Sequence, residues 1–278
     1  MLKKLAALMI IGASQLAVAD EAHNPAEIVT AGLTAAFVDF DAGALPEFFA
    51  EDYIQHNPGV PTGLAPLQGF LPKLKEMGLA AEPHRMIVDG DLVAVHATYT
   101  NAQAFGAETM VAFDVFRVED GKIAEHWDNL IPVKPANPSG HTQTDGPTEV
   151  TDLDQTDANK ALVSDFVQKV LVGGDFAALS TFFDGDSYIQ HNPDIADGLS
   201  GLGAAIEALA DQGIAMEYET VHKVIGQGNF VLVMSEGAFG GEPMAYYDLF
   251  RVENGRIAEH WDVMQTIPVE MAHENGKF

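Results

Sequence analysis

Asp114-Val115-Phe116-Arg117-Val118-Glu119-Asp120-Gly121-Lys122-Ile123-Ala124-Glu125-His126-Trp127-Asp128 is written a second time, from Asp248 to Asp262, as DLFRVENGRIAEHWD, with 12 of the 15 positions identical. An apolar β-prone run, an Asp-Gly or Asn-Gly turn and a second β-prone run ending in His-Trp-Asp specify a β-hairpin. Side chains alternate along a strand, so His126 and Asp128 share one face and Trp127 takes the other. A loop of odd length, with Gly121 as a left-handed bulge residue, predicts Asp114 opposite His126 on that face. A strict two-residue turn predicts Asp114 opposite Trp127 instead. The first register is the one expected here, and it gives each copy an Asp-His-Asp cluster: Asp114, His126 and Asp128, then Asp248, His260 and Asp262.

Outward from the hairpin, the rest of the chain is doubled as well. Tyr53-Ile54-Gln55-His56-Asn57-Pro58 recurs letter for letter at Tyr188 to Pro193. Such a repeat means two whole domains in tandem and excludes a solenoid. In the first copy, apolar spacing predicts helices over 25–40, 44–50 and 66–77. Strands are predicted over 83–88, 92–100, 109–118 and 122–131. The second copy repeats this order, with helices at 158–171, within 175–183 and near 202–210, then four strands. Helices followed by a meander of strands indicate an α+β domain, a bent antiparallel sheet wrapped on helices with one open mouth. Residues 133–157 are rich in Pro, Gly, Thr and Asp and carry no hydrophobic period. The expected division is 20–135, a connector over 136–157 lying along the surface, and 158–278.

The copies differ locally. His96 corresponds to Met234, Ala112 and Phe113 to Tyr246 and Tyr247, and the loop before the hairpin is about four residues longer in the first copy. Two identical sites are therefore not expected.

Met1-Leu2-Lys3-Lys4, an apolar run to Ile11 and Ala17-Val18-Ala19 have the three parts of a secretory signal, cut before Asp20. The expectation is a periplasmic or secreted protein with no membrane association after signal removal. There are no cysteines, so stability rests on packing alone. Fourteen basic against 41 acidic residues give a net charge of −27, which disfavours nucleic acid and anionic lipid as partners.

YIQHNP followed by a glycine and a helix, with D-x-F-R-V-E-x-G-x-I-A-E-H-W-D near the domain end, resembles the SnoaL-like polyketide cyclase family of the nuclear-transport-factor-like superfamily. The chain is most similar to the branch described as predicted SnoaL-like aldol-condensation enzymes. The resemblance covers nearly all of residues 24–135 and 158–270, and the connector NPSGHTQTDGPTEVTD is similar to the linkers of doubled members. It implies two cone-shaped α+β barrels, each with three helices against a strongly curved, mostly antiparallel sheet, and an intrachain pseudo-dimer packed through the sheets. It also implies ring closure by aldol condensation without metal or cofactor, with an aspartate acid/base at the end of the last long strand. That position is Asp128 here, and Asp262 in the second copy.

The resulting expectation is a cofactor-independent acid/base enzyme for a small, mostly apolar carbonyl compound, by aldol-type, isomerase or lyase chemistry. The alternative is a small-molecule-binding protein on the same scaffold. Asp128 and Asp262 carry the proton in this reading, because burial lifts a carboxyl toward neutrality and suits it as a base; their plain reading is a strand-end cap. His126 and His260 orient the acids or donate to an oxyanion, or are structural histidines paired with Asp114 and Asp248. Tyr53, Gln55, His56 and Asn57, with Tyr188, Gln190, His191 and Asn192, are candidate substrate contacts, although Asn57 and Asn192 also suit an Asx turn. Arg117 and Glu125 read as a cross-strand ion pair, and Trp127 and Trp261 as packing or interface residues. No metal-ligand spacing such as H-E-x-x-H is present, and no metal is expected.

Overall fold

The computed structural model describes residues 24–278, so the signal-like segment lies outside the described residues. Asn24 caps the first helix, accepting from the Ala26 amide at 3.1 Å. Helix α1 runs Pro25–Phe37, shorter than expected, because the chain turns off through Phe40 in the left-handed region. Helix α2 is a single turn, Leu45–Phe48, and the expected continuation to Ala50 is instead the start of strand β1, Phe49–Gln55. Helix α3 spans Leu64–Met77 and ends at Gly78, whose left-handed backbone closes the C-terminus. Strands β2 (Ala80–Asp89), β3 (Leu92–Thr100), β4 (Thr109–Glu119) and β5 (Lys122–Pro132) follow.

The second copy has α4 (Thr156–Phe166), β6 (Ile189–Gln190), α5 (Gly198–Asp211), β7 (Met216–Gln227), β8 (Phe230–Phe239), β9 (Glu242–Glu253) and β10 (Arg256–Thr266). Helix α4 passes directly into a π-helical stretch, Val167–Val172, so the expected helix to Leu171 is present but not regular throughout. A short 3-10 helix, Phe176–Thr181, stands where α2 stands in the first copy.

Each copy thus has five strands where four were expected, in the orders β1-β5-β4-β3-β2 and β6-β10-β9-β8-β7. The additional strands, β1 and β6, carry the YIQHNP motif and pair in parallel with β5 and β10. The sequence assigns this motif to no element, because a short strand with exposed Glu51 and Asp52 shows no alternation and a parallel pairing has no turn signal. The architecture is α+β, with helices on the concave face of each sheet.

The hairpin register also differs from expectation. Asp120 and Gly121 both have positive φ and form a two-residue turn that pairs Glu119 with Lys122. A bulge at Ala124 then inserts one residue into β5. The turn and the bulge together place Asp114 opposite Asp128, and Phe116 opposite His126. In the second copy the same geometry places Asp248 opposite Asp262. The three ionisable residues still share one face, because moving a pairing by two residues preserves side-chain parity.

The outer faces of the two sheets pack on each other. Val111, Phe113, Val115 and Trp127 of the first copy join Leu232, Ala245, Tyr247, Leu249 and Trp261 of the second in one buried cluster. Asn129 spans the joint, its amide donating to Ala245 O and Val263 O at 2.9 Å each. Arg85 lies over the Trp261 ring at 4.2 Å, and Lys223 of the second copy lies over Trp127 at 4.1 Å. The expected packing role of the tryptophans is therefore what the joint contains. Among the described residues no helix is long and apolar enough to cross a membrane.

Candidate functional site

Inside the first cone, Asp114 on β4 and His126 and Asp128 on β5 point together from the concave face. His126 Nε2 lies 3.1 Å from Asp114 Oδ1, and its Nδ1 lies 3.0 Å from Gln55 Oε1. Gln55 Oε1 also accepts from the Asn57 amide at 2.8 Å, and Gln55 Nε2 donates to the Tyr53 hydroxyl at 3.3 Å. Both nitrogens of His126 thus lie against oxygens. Tyr99 donates to Asp114 Oδ2 at 2.8 Å.

Asp128 is held differently. Asn57 donates to its Oδ2 at 2.7 Å, while its Oδ1 is buried and has no hydrogen-bond partner among the described residues. Lys277, from the C-terminal tail of the second copy, places its ammonium 3.8 Å from that oxygen and donates to the Asp128 backbone carbonyl. Burial pushes the Asp114 carboxyl up from its ordinary range, against the opposing pull of His126. Burial, then the charges of Asp128 and Asp114, hold the Tyr53 phenol well above its usual value, so it stays a donor.

These groups line a cavity of about 70 Å³ whose remaining wall is apolar, including Leu33, Phe37, Phe49, Phe70, Phe105 and Leu130. Of the substrate contacts expected from sequence, Tyr53, Gln55, Asn57 and Asp114 line it. His56 does not. Its ring stacks on Trp127 at 5.0 Å, with Nε2 2.9 Å from Glu125 and Nδ1 2.9 Å from Gly276 O, on the interface face of the sheet. The reason is strand parity, since β1 ends at Gln55 and its neighbour turns the other way. His191 repeats this placement against Trp261 and Glu259. The expected Arg117–Glu125 pair is present at 2.8 Å, and Glu125 bridges it to His56.

The second cone repeats the network. His260 lies 3.0 Å from both Asp248 Oδ1 and Gln190 Oε1, Asn192 donates to Asp262 at 2.7 Å, and Gln190 reaches the Tyr188 hydroxyl at 3.4 Å. Burial opposes the charge on His260, yet the Asp248 hydrogen bond and the charges of Asp262 and Asp248 outweigh it and raise its pKa. Burial raises the Asp262 carboxyl, against His260 and with Asp248.

What differs is the space in front of the acids. Tyr246 stands where the first copy has Ala112, is fully buried, and stacks on Tyr218 at 4.2 Å. The Tyr218 hydroxyl lies 3.3 Å from both oxygens of Asp248, taking the place that Tyr99 fills in the first copy. Leu171, Val172, Phe239 and Met264 complete the packing around this pair. Sequence reading flagged Ala112 and Tyr246 but missed Tyr99 and Lys277. Tyr99 shares its alternation with any core tyrosine, and nothing local to Lys277 points across to the other domain.

The model of the SnoaL-like domain matches twice, over residues 29–126 and 163–260. Among solved structures, IdmH, a candidate polyketide cyclase from Streptomyces antibioticus, is 28% identical, with a TM-score of 0.32, covering 39% of this chain and 92% of its own. A nuclear-transport-factor-like protein of unknown function from Mesorhizobium loti is 23% identical, with a TM-score of 0.34, covering 39% and 91%. No curated protein matches the chain significantly. With both motif-bearing halves matched, the chain belongs to the SnoaL-like domain family, as a tandem duplication of it.

Proposed function

We propose that the first cone is the working site of a cofactor-independent acid/base enzyme that removes a proton next to the carbonyl of a small, mostly apolar compound. The observation that carries this is Asp128 Oδ1, a buried carboxylate oxygen without a hydrogen-bond donor at an apolar cavity. An oxygen so placed has no amide or hydroxyl to shed before it meets a carbon-bound proton, and the Lys277 ammonium 3.8 Å away holds its charge in place.

Asn57 fixes the carboxylate through its other oxygen. Tyr53 accepts from Gln55, which leaves its own proton free to hydrogen-bond the enolate oxygen that forms as Asp128 takes the carbon-bound proton. The Asp114–His126–Gln55 network sits behind the base and fixes the wall of the site. The SnoaL-like family supports a small-molecule or cyclase-type activity, and aldol ring closure, isomerisation and retro-aldol cleavage all begin with this proton transfer. The second cone has the same acids behind a filled interior, so we assign it a scaffolding role, with the two copies forming an internal pseudo-dimer. The signal-like sequence over residues 1–19 supports export to the periplasm or medium.

Deuterium uptake from heavy water into a panel of small ketones and β-keto esters, read by mass spectrometry, tests this. Uptake is expected with the unmodified protein and with Asp262→Asn, and is expected to vanish with Asp128→Asn. Uptake that survives Asp128→Asn sinks the proposal. Absence of uptake across the panel, together with a compound retained in the cavity, favours the non-catalytic binding protein.

A further inference from the structure

Outside the two cones, the connector makes a third constellation of ionisable groups. The segment from Asn137 to Pro147 folds over the second domain, where Asn137 donates to Gln190 O at 2.6 Å and to Ile195 O at 3.0 Å. His141 and Asp145, four residues apart in this segment, come up against the fully buried His191. Asp145 Oδ1 lies 2.7 Å from His191 Nδ1, and Asp145 Oδ2 lies 3.7 Å from His141 Nδ1. The Thr142 carbonyl is 2.8 Å from the same His191 nitrogen.

The far sides of the two rings decide what this cluster can hold. His191 Nε2 is 2.8 Å from Glu259 Oε1, and His141 Nε2 is 3.2 Å from Asp197 Oδ2. A carboxylate thus stands behind each ring at Nε2, with Nδ1 turned inward, the arrangement that supports metal-binding histidines. Two Nδ1 atoms, a carboxylate and a carbonyl oxygen then converge, and among the described residues the one donor that reaches them is the Thr142 amide, 3.2 Å from Asp145 Oδ1. A cation at that point would balance the convergence.

We propose that His141 Nδ1, His191 Nδ1, Asp145 and the Thr142 carbonyl bind one divalent transition-metal ion of the zinc type. Imidazole and carboxylate donors suit Zn²⁺. The ligand atoms already stand 2.7 Å (Asp145 Oδ1) and 2.8 Å (Thr142 O) from His191 Nδ1 and 3.7 Å (Asp145 Oδ2) from His141 Nδ1, so a tetrahedral ion with ligand atoms ~3.3 Å apart needs shifts of only a few tenths of an ångström. The side chains of His141 and Asp145 are 33% and 43% exposed, which gives an ion an entry path from solvent. Gly146 lets the connector approach this closely, since a Cβ there would lie 2.5 Å from Glu259 Oε1 and 2.9 Å from the Trp261 ring. The two Asp-His-Asp clusters offer comparable groups, but there Asn57, Tyr99, Asn192 and Tyr218 supply side-chain donors to the carboxylates, whereas Asp145 receives only the Thr142 backbone amide. Among the described residues the first domain holds no such group around the corresponding His56, which faces Glu125 and the Gly276 carbonyl. It pins the connector to the second domain and lies apart from the cavity chemistry, contrary to the sequence-based expectation of no metal.

Titration calorimetry of the chelator-stripped protein with Zn²⁺, and the visible spectrum with Co²⁺, test the assignment. One ion per chain is expected, with a four-coordinate Co²⁺ spectrum and a higher melting temperature on Zn²⁺ addition. His141→Ala and Asp145→Asn are expected to weaken binding by more than ~10-fold each, and Asp197→Asn, behind His141, by ~10- to 100-fold. All three residues are at least partly exposed, so the fold survives these changes. Asp128→Asn is expected to leave the affinity unchanged. No binding up to millimolar Zn²⁺, or binding that persists in both His141→Ala and Asp145→Asn, overturns the proposal and leaves His191 bridged by protons.

Discussion

Tyr246→Ala probes what separates the two cones. The ring is fully buried, stacked on Tyr218 at 4.2 Å, and its hydroxyl donates to Ala238 O at 2.7 Å. A buried tyrosine withdraws ~150–250 Å² from water, an upper bound of ~4–6 kcal/mol at ~25 cal/mol per Å². Truncation of buried aromatics to alanine costs ~3–5 kcal/mol, including the cavity left behind. The hydrogen bond contributes ~1 kcal/mol more, offset in part by regained side-chain entropy, for a net loss of about 4 kcal/mol. With a urea dependence of ~3 kcal/mol per molar, the midpoint falls by ~1.3 M. Urea titration followed by tryptophan fluorescence measures it, and small aromatic compounds are expected to enter the opened second cone. A cost below ~1.5 kcal/mol, without ligand entry, would refute the reading that Tyr246 fills the space in front of Asp248 and Asp262.

Other outcomes follow from the same geometry. His96 is buried against Phe113 at 4.3 Å, and burial, then the Arg85 charge, hold its pKa well below 6.5. The folded state therefore binds fewer protons than the unfolded one below that pH, so the contribution of neutral His96 is complete above ~6.5 and is lost as pH falls. His96→Met, which copies Met234, is expected to flatten the acid-side loss of stability in urea titrations, and an unchanged pH slope would contradict this. His56 and His84, also lowered chiefly by burial, leave part of the slope in place. Gly146→Ala, at φ +91° and with Glu259 in the way, is expected to cost ~1–3 kcal/mol of stability and to weaken Zn²⁺ binding, read by urea titration and calorimetry.

Duplication was legible from the recurrence of residues 114–128 at 248–262, fold class from the order of helices and strands, and the clustering of Asp114, His126 and Asp128 on one face from the hairpin itself, because strand alternation and turn chemistry act over a few residues. Sequence also marked Ala112 against Tyr246, a difference in side-chain volume that needs no coordinates to see. Tertiary structure decided the rest. The Ala124 bulge set the pairing, and a bulge arises from sheet twist that no local pattern encodes. The parallel pairing of β1 with β5 brought Gln55 and Asn57 to the acids and turned His56 away, because only a partner strand fixes which face a short strand shows. Lys277 meets Asp128 across the domain joint, and His141 and Asp145 of the connector meet His191 of the second domain, each pair more than 40 positions apart. Their meeting is decided by how the sheets and the connector pack, a property of the assembled surfaces and not of any one segment.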